Sequence, residues 1–174
     1  MLLDVGSGNH PHPRANVTCD LYFNAEFERG PGGPVNIVEN FVICDAQHLP
    51  FRSQIFAESN CTHVLEHLDD PRIGFHELKR VSKRGYVETP GLIYEQVLFG
   101  FSFHDWTFTK RNGKLYFTKP RKLKIFGRTV LPIGWFTHPL ALLFLRKNSN
   151  HKELNPLLQP LRRLLLFNVQ YWWS

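Results

Sequence analysis

Cysteine is scarce in this 174-residue chain, and its three cysteines form no C-x-x-C pair. Cys19, Cys44 and Cys61 therefore suggest neither a disulfide framework nor a thiol pair for a metal ion. We interpret them as small buried side chains in a reduced, cytoplasmic protein. A charged-then-apolar signal sequence is also missing. The chain begins inside its first predicted strand, which indicates a fragment or an unusually short amino terminus.

Long uninterrupted apolar runs are missing as well. Residues 130–146 are apolar and aromatic, but prolines and a glycine interrupt them, and they fall short of the ~20 apolar residues of a membrane span. The run from Leu161 to Trp173 is shorter and begins next to two arginines. We predict core or lid helices in this part of the chain. An interfacial amphipathic element that lies against the inner face of the membrane is the alternative.

Acidic residues are few in the second half of the chain. Residues 1–75 hold four Lys/Arg against ten Asp/Glu, and residues 76–174 hold 17 Lys/Arg against five Asp/Glu, which gives balances of −6 and +12. Such a basic half suits an anionic substrate, nucleic acid or a membrane surface. The competing interpretation is an ordinary solvated basic face.

The chain opens on an apolar run that ends in a glycine turn. Leu2, Leu3 and Val5 suit a parallel strand buried on both faces, and Gly6 and Gly8 allow a sharp turn and a close approach to a ligand. Open α/β folds bind nucleotides where such a strand ends at the carboxyl edge of the sheet. Taken alone, Gly-x-Gly is equally compatible with an ordinary turn.

Further elements follow this strand. Strands are predicted near residues 17–19, 41–44, 56–61 and 86–89, and a helix is predicted from Asp69-Asp70-Pro71 to Gly85. Asn112-Gly113 between two β-rich runs predicts a hairpin. The fold class is therefore α/β, with a Rossmann-like, mostly parallel sheet, a C-terminal antiparallel hairpin and a helical C-terminal extension.

Three of the predicted strands end in or just before an aspartate, at Asp4, Asp20 and Asp45. In a doubly wound sheet these strand ends face one crevice. A carboxylate after the second strand can accept hydrogen bonds from both ribose hydroxyls of a nucleoside, and Asp20 is the choice for that role. Each aspartate alone would more often cap a turn, but three at matching strand ends form a stronger signal.

Several segments, taken in order, resemble class I S-adenosylmethionine-dependent methyltransferases of the methyltransferase-11-like family. They are Leu-Leu-Asp-Val-Gly-Ser-Gly at 2–8, Cys-Asp-Ala-Gln-His-Leu-Pro-Phe at 44–51, His-Val-Leu-Glu-His-Leu-Asp-Asp-Pro at 63–71 and Glu-Leu-Lys-Arg-Val-Ser-Lys-Arg-Gly-Tyr-Val-Glu-Thr-Pro at 77–90. The hairpin from His104 to Thr118 fits the last two strands of that fold. The resemblance predicts a methyltransferase domain over residues 1–118 and a basic, apolar extension over residues 119–174 that acts as a lid or binds a partner.

The resemblance implies S-adenosyl-L-methionine as the cofactor. By it, the glycine turn lines the methionine and ribose part, Asp20 binds the ribose, Asp45 and Ala46 face the adenine, and residues 61–63 lie near the sulfonium. The cofactor-binding residues implied in this way are Asp4, Gly6, Ser7, Gly8, Asp20, Leu21, Asp45, Ala46, Gln47, Cys61, Thr62 and His63.

The chain departs from the family pattern after the glycine turn. The family usually has another glycine and a full helix there, whereas this chain has Asn9-His10-Pro11-His12-Pro13 and reaches Asp20 twelve residues after Gly8. We therefore predict a loop as this wall of the site. The two histidines have no third ligand at a recognisable spacing, and no metal site is predicted.

Glu66 and His67 follow the fourth strand, near the expected methyl donor. Methyl transfer to oxygen or nitrogen often needs a base, and histidine has a suitable pKa. His67 is the candidate base, Glu66 its orienting partner or an acceptor for substrate, and His104 a further catalytic candidate. The competing interpretation is that Glu66 and His67 cap and pack the following turn.

The leading functional hypothesis is a methyltransferase that acts on an anionic small or envelope-related acceptor. The alternative is a non-catalytic, methyltransferase-like module that holds a partner or a membrane surface through its extension. A dinucleotide-dependent oxidoreductase is disfavoured because the later glycine is missing and Asp20 comes too early. A nucleic-acid methyltransferase is disfavoured because neither an Asn-Pro-Pro-Tyr-type motif nor a zinc module is present.

Overall fold

The computed structural model describes residues 1–23, 35–91, 104–119, 123–125, 128–130 and 168–174. The elements in these ranges are β1 (Leu2–Val5), β2 (Val17–Asp20), β3 (Phe41–Ile43), β4 (Phe56–Thr62), a 3-10 turn (Leu65–His67), α1 (Pro71–Val81), β5 (Ser82–Pro90), β6 (Thr107–Arg111), β7 (Lys114–Thr118), β8 (Leu123–Ile125), β9 (Arg128–Val130) and β10 (Asn168–Trp173). The chain divides into two units, Met1–Thr89 with Gln170–Ser174, and Pro90–Val169. The predicted boundary at residue 118 stays a prediction.

The first unit is built on a six-stranded sheet in the order β10-β5-β4-β1-β2-β3. β1 pairs in parallel with β2 and β4, β2 with β3, and β4 with β5. Val5 is in register with both Cys19 and Cys61, so three strands end level at one edge. The predicted Rossmann-like, mostly parallel sheet is confirmed.

The central strand β1 is buried along its whole length, as its apolar composition predicted. Helix α1 begins where the Asp70 side chain accepts a hydrogen bond from the Arg72 backbone N–H at 2.9 Å, with Pro71 in its first turn. Leu78 and Val81 of this helix are buried, whereas Ile73, predicted on the same apolar stripe, is 45% exposed.

The helix ends earlier than predicted. Its last residue is Val81, and Gly85, expected at its carboxyl end, lies inside β5 in register with Ser59 of β4. The adjoining residue Ser82 is already in the sheet, and its hydroxyl donates to the Leu78 carbonyl at 2.6 Å. Strand pairing therefore takes residues 82–85, which local helix-end signals had predicted as the end of the helix.

The C-terminal end of the chain is a strand, not the predicted helix. Residues 168–173 form β10 beside β5, and Trp173 is buried there with its ring 5.6 Å from that of Phe75. Gln170 contacts Glu88 while Trp172 contacts Tyr86, so the two strands run in opposite directions. Valine, tyrosine and tryptophan in succession favour a strand wherever an edge offers backbone partners. The described parts of the extension are strands, and the rest of the predicted helices lies outside the described residues.

The second unit contains the predicted hairpin. β6 and β7 pair antiparallel around Asn112-Gly113, whose φ angles of 50° and 70° are those of a two-residue hairpin turn. The hairpin forms a two-stranded sheet of its own, so it does not supply the last strands of the large sheet. Strands β8 and β9 form another antiparallel pair. Among the described residues, no helix is long and apolar enough to cross a membrane.

Candidate functional site

A cavity of about 850 Å³ lies in the first unit at the carboxyl ends of β1, β2 and β4. Its size is that of a typical small-molecule site. All of the predicted cofactor-binding residues line it except Gln47 and Cys61. The strand-end argument therefore brings most of the predicted residues together.

The glycine turn needs both of its glycines, for different reasons. Gly6 and Gly8 have φ angles of 70° and 52°, in the left-handed region that side chains disfavour. A Cβ on Gly6 would lie 2.1 Å from Cγ2 of Val64, so the turn packs against the segment after β4. A Cβ on Gly8 would meet no atom within 4 Å. Gly6 therefore allows close packing against Val64, and Gly8 leaves empty space beside the backbone at the cavity wall.

Asp20 fastens this turn to the end of β2. One carboxylate oxygen accepts from the Gly8 backbone N–H at 3.0 Å, and the other accepts from the Tyr22 N–H at 3.1 Å. An ionised carboxylate has about four acceptor positions and can bind several donors at once, as ribose recognition requires. The predicted role of Asp20 in ribose binding is compatible with this geometry and stays a prediction.

The loop that replaces the first crossover helix is held by Asp4. This buried carboxylate accepts from the His12 backbone N–H at 2.7 Å and from the Asn60 side-chain amide at 2.7 Å. Burial raises the pKa of Asp4, and the two hydrogen bonds oppose that rise. No helix is found between β1 and β2 in the described residues 6–16, as the short spacing predicted. Asp4 lines the cavity, but its contacts give it a supporting role.

The turn after β3 supplies the third aspartate. Asp45 accepts from the Gln47 backbone N–H at 2.8 Å and lies 3.2 Å from Nδ1 of His48, so it caps its own turn. Buried Ala46 and half-exposed Leu21 line the cavity beside it. The Gln47 side-chain carbonyl instead accepts from the Asp70 N–H at 3.0 Å, at the start of α1.

The segment after β4 forms an acidic and histidine cluster. His63 has a φ of 56°, and its Nδ1 lies 3.3 Å from a carboxylate oxygen of Glu66, which is 1% exposed. The hydrogen bond to Glu66 raises the pKa of His63, burial opposes this, and Glu88, 3.9 Å from Nε2, adds to the rise. Cys61, in β4 two residues before His63, is fully buried, and burial raises the pKa of its thiol.

Glu88 belongs to a wall that the sequence did not reveal. The Tyr86 hydroxyl and the Gln170 side-chain amide donate to the same Glu88 oxygen, the latter at 3.2 Å. The Trp172 ring lies 4.4 Å from that of Tyr86, and both line the cavity. Burial and the neighbouring Glu88 raise the pKa of Tyr86. Strand alternation places Tyr86 and Glu88 on one face, but no local signal brings residues 170–172 there.

The predicted catalytic residues are placed as follows. Glu66 contacts His63, and its predicted partner His67 also lines the cavity, with a ring nitrogen within 4.8 Å of a Glu66 carboxylate oxygen. The second Glu66 oxygen and the hydroxyl of Ser7 are buried and have no hydrogen-bond partner within the described ranges. His104 belongs to the second unit, and its catalytic role stays a prediction.

Comparison with known proteins supports the resemblance seen in the sequence. Residues 17–87 match a family model described as a methyltransferase domain. The match begins after the glycine turn and runs from β2 into β5. The resemblance to class I S-adenosylmethionine-dependent methyltransferases seen in the sequence is confirmed over this part of the chain. The match supports S-adenosyl-L-methionine as the cofactor. No curated protein matches the chain.

Solved structures with a related fold were also found. A SAM-dependent methyltransferase from Thermotoga maritima is 18% identical, with a TM-score of 0.40, over 52% of this chain and 44% of that one. YcgJ from Bacillus subtilis is 23% identical, with a TM-score of 0.39, over 52% and 44%. A methyltransferase from Mesorhizobium loti is 15% identical, with a TM-score of 0.43, over 94% and 83%. This chain thus covers less than half of the first two.

The residues present fit the cofactor of this class. The open side of Gly8, the Asp20 carboxylate and the buried Ser7 hydroxyl without a described partner all adjoin the same cavity. A buried polar atom of this kind is normally satisfied by a partner, and a ligand can supply one. Ala46 and Leu21 offer the apolar surface that an adenine ring needs.

Proposed function

We propose that this protein transfers a methyl group from S-adenosyl-L-methionine to an anionic small or envelope-related acceptor. The observation that carries the proposal is the Gly8–Asp20 hydrogen bond, which joins the glycine turn to an acidic strand end inside the cavity. The match to a methyltransferase domain supports the reaction class.

The proposed cofactor contacts follow from the chemistry of the lining. Asp20 accepts hydrogen bonds from the ribose hydroxyls, because its carboxylate lines the cavity and a carboxylate has about four acceptor positions. Ala46 and Leu21 cover the adenine, and Ser7 donates to a polar group of the ligand. The glycine turn allows the ligand to approach the backbone closely.

The proposed proton acceptor is His63. When bound, S-adenosyl-L-methionine supplies an electrophilic methyl group. The Glu66 carboxylate fixes the ring of His63 and makes it more basic, so Nε2 can take a proton from a hydroxyl or amine. Glu88, held by Tyr86, lies on the Nε2 side and can orient that group. His67, which also lines the cavity, is the alternative base.

The nature of the acceptor is proposed from charge. Residues 76–174 carry a balance of +12, which attracts an anionic molecule before any specific contact forms. An acidic lipid or an acidic sugar of the cell envelope fits that field.

The alternative function is a non-catalytic module that binds the cofactor or a partner and transfers nothing. The loop in place of the first crossover helix favours this alternative.

Replacing Asp20 with alanine tests cofactor binding. The variant should lose two charge-assisted hydrogen bonds to the ribose, so its affinity for S-adenosylhomocysteine should fall by roughly 2–4 kcal/mol. Isothermal titration calorimetry measures this change. Asp45→Ala is the matched control, since that carboxylate already serves its own turn, and it should lose less than about tenfold. Unchanged binding by a folded Asp20→Ala would remove Asp20 from the site.

Replacing His63 with asparagine tests methyl transfer. Asparagine tolerates the left-handed φ of this position but cannot act as a base, so transfer should fall about a hundredfold while S-adenosylhomocysteine still binds. The measurement is tritium transfer from methyl-labelled S-adenosyl-L-methionine into an extract of acidic envelope components. His67→Asn is the control and should keep most of the activity.

Two other outcomes of this assay would change the assignment. A large loss in His67→Asn with normal transfer in His63→Asn would return the base to His67. A wild-type protein that binds S-adenosylhomocysteine but labels no fraction would favour the non-catalytic module.

A further inference from the structure

A basic face lies on the hairpin of the second unit. Alternation along the two strands places five exposed residues on one face: Thr109, Arg111, Lys114, Tyr116 and Thr118. The opposite face packs Phe108, which is fully buried, against Phe117 with the ring centroids 5.3 Å apart. The hairpin therefore has an anchored apolar side and a cationic side that faces solvent.

The arrangement of charges on this face destabilises the hairpin. Arg111 and Lys114 are directly paired across the turn. Like charges at paired positions destabilise a two-stranded sheet, so this arrangement is unfavourable for folding alone. An anionic surface that contacts the face would relieve the repulsion. Tyr116, 47% exposed, adds an aromatic ring with a polar tip beside the two cations.

The surrounding sequence strengthens the positive field. Residues 106–152 contain no Asp or Glu, and their basic residues are Lys110, Arg111, Lys114, Lys119, Arg121, Lys122, Lys124, Arg128, Arg146, Lys147 and Lys152. Within this range, the Lys119 ammonium lies 4.9 Å from the centroid of the Trp106 ring. Cations next to tyrosine and tryptophan are the composition of a membrane interface.

We propose that this hairpin face, with Arg111, Lys114 and Tyr116, docks on the anionic lipid headgroups of a membrane. A lipid surface fits better than a nucleic acid because residues 129–145 form an uncharged, largely apolar stretch between Arg128 and Arg146-Lys147. Clustered basic residues beside apolar and aromatic ones are attracted to acidic lipids and can bury apolar side chains at the boundary. The proposal uses the second unit alone and does not depend on methyl transfer.

The test is co-sedimentation of the full chain with lipid vesicles. Vesicles of phosphatidylcholine mixed with phosphatidylglycerol should bind the protein, vesicles of phosphatidylcholine alone should bind it much less, and added salt should weaken the binding. The double variant Arg111→Gln/Lys114→Gln should bind the anionic vesicles about 30-fold more weakly. Arg52→Gln/Lys83→Gln removes the same charge from exposed positions of the first unit and should bind like the wild type.

Calorimetry with S-adenosylhomocysteine on each variant keeps this result separate from the cofactor site. Normal cofactor binding with a 30-fold loss on vesicles supports the surface whatever the acceptor is. Equal binding to both vesicle types, or equal losses in the two double variants, would overturn the proposal. Binding to single-stranded RNA with none to vesicles would also overturn it and would assign the face to nucleic acid.

Discussion

Gly6→Ala should lower the free energy of unfolding of the first unit by about 2–5 kcal/mol, because the added Cβ brings both backbone strain and a steric clash. The φ of 70° is unfavourable for any residue with a Cβ, and that Cβ would lie 2.1 Å from Cγ2 of Val64. The Cβ of Val64, which rotation of its side chain leaves in place, would still lie only 3.3 Å away. Thermal or urea unfolding followed by circular dichroism measures the loss.

Gly8→Ala is the matched control for this effect. Its φ of 52° imposes a similar backbone penalty of about 1–2 kcal/mol, but its Cβ would meet no atom within 4 Å. The double variant Gly6→Ala/Val64→Ala should recover most of the difference between the two glycines. Equal losses in Gly6→Ala and Gly8→Ala would show that packing against Val64 contributes nothing.

The parts of the site that follow from local sequence were predictable. An apolar run before Gly6, and aspartates at strand ends, specify where strands stop, and parallel pairing then brings those ends to one edge. The loop over residues 9–16 was also predictable, because too few residues separate the glycine turn from Asp20 for a helix. These inferences need only the chain's own spacing and one rule of sheet topology.

The side of the cavity that contains Tyr86, Glu88, Gln170 and Trp172 was not predictable in this way. It depends on β10, which comes from the far end of the chain and pairs with β5 more than 80 residues earlier. Nothing near Tyr86 or Glu88 in the sequence indicates that partner. The contact between Glu66 and His63 was not predictable either, because it accompanies a left-handed φ at His63 that the sequence does not indicate. Long-range pairing and unusual backbone geometry are the two properties that periodicity does not encode.

The structural role of β10 leads to the second large effect. Trp173 is 9% exposed and lies on Gly85, where a Cβ would come within 2.3 Å of the indole, and its ring contacts Phe75 of α1. Trp173→Ala should therefore lower the free energy of unfolding by about 3–5 kcal/mol, as expected for a large aromatic side chain removed from a core.

The neighbouring tryptophan provides the control. Trp172 is 63% exposed and packs on Tyr86 at the cavity wall, so Trp172→Ala should change stability by less than about 1 kcal/mol. Trp173→Phe should retain most of the stability, because it keeps an aromatic ring against Phe75. It also removes a buried indole N–H that has no hydrogen-bond partner among the described residues. Urea denaturation of the three variants measures these differences, and equal midpoints for Trp172→Ala and Trp173→Ala would show that β10 does not pack on β5 as described.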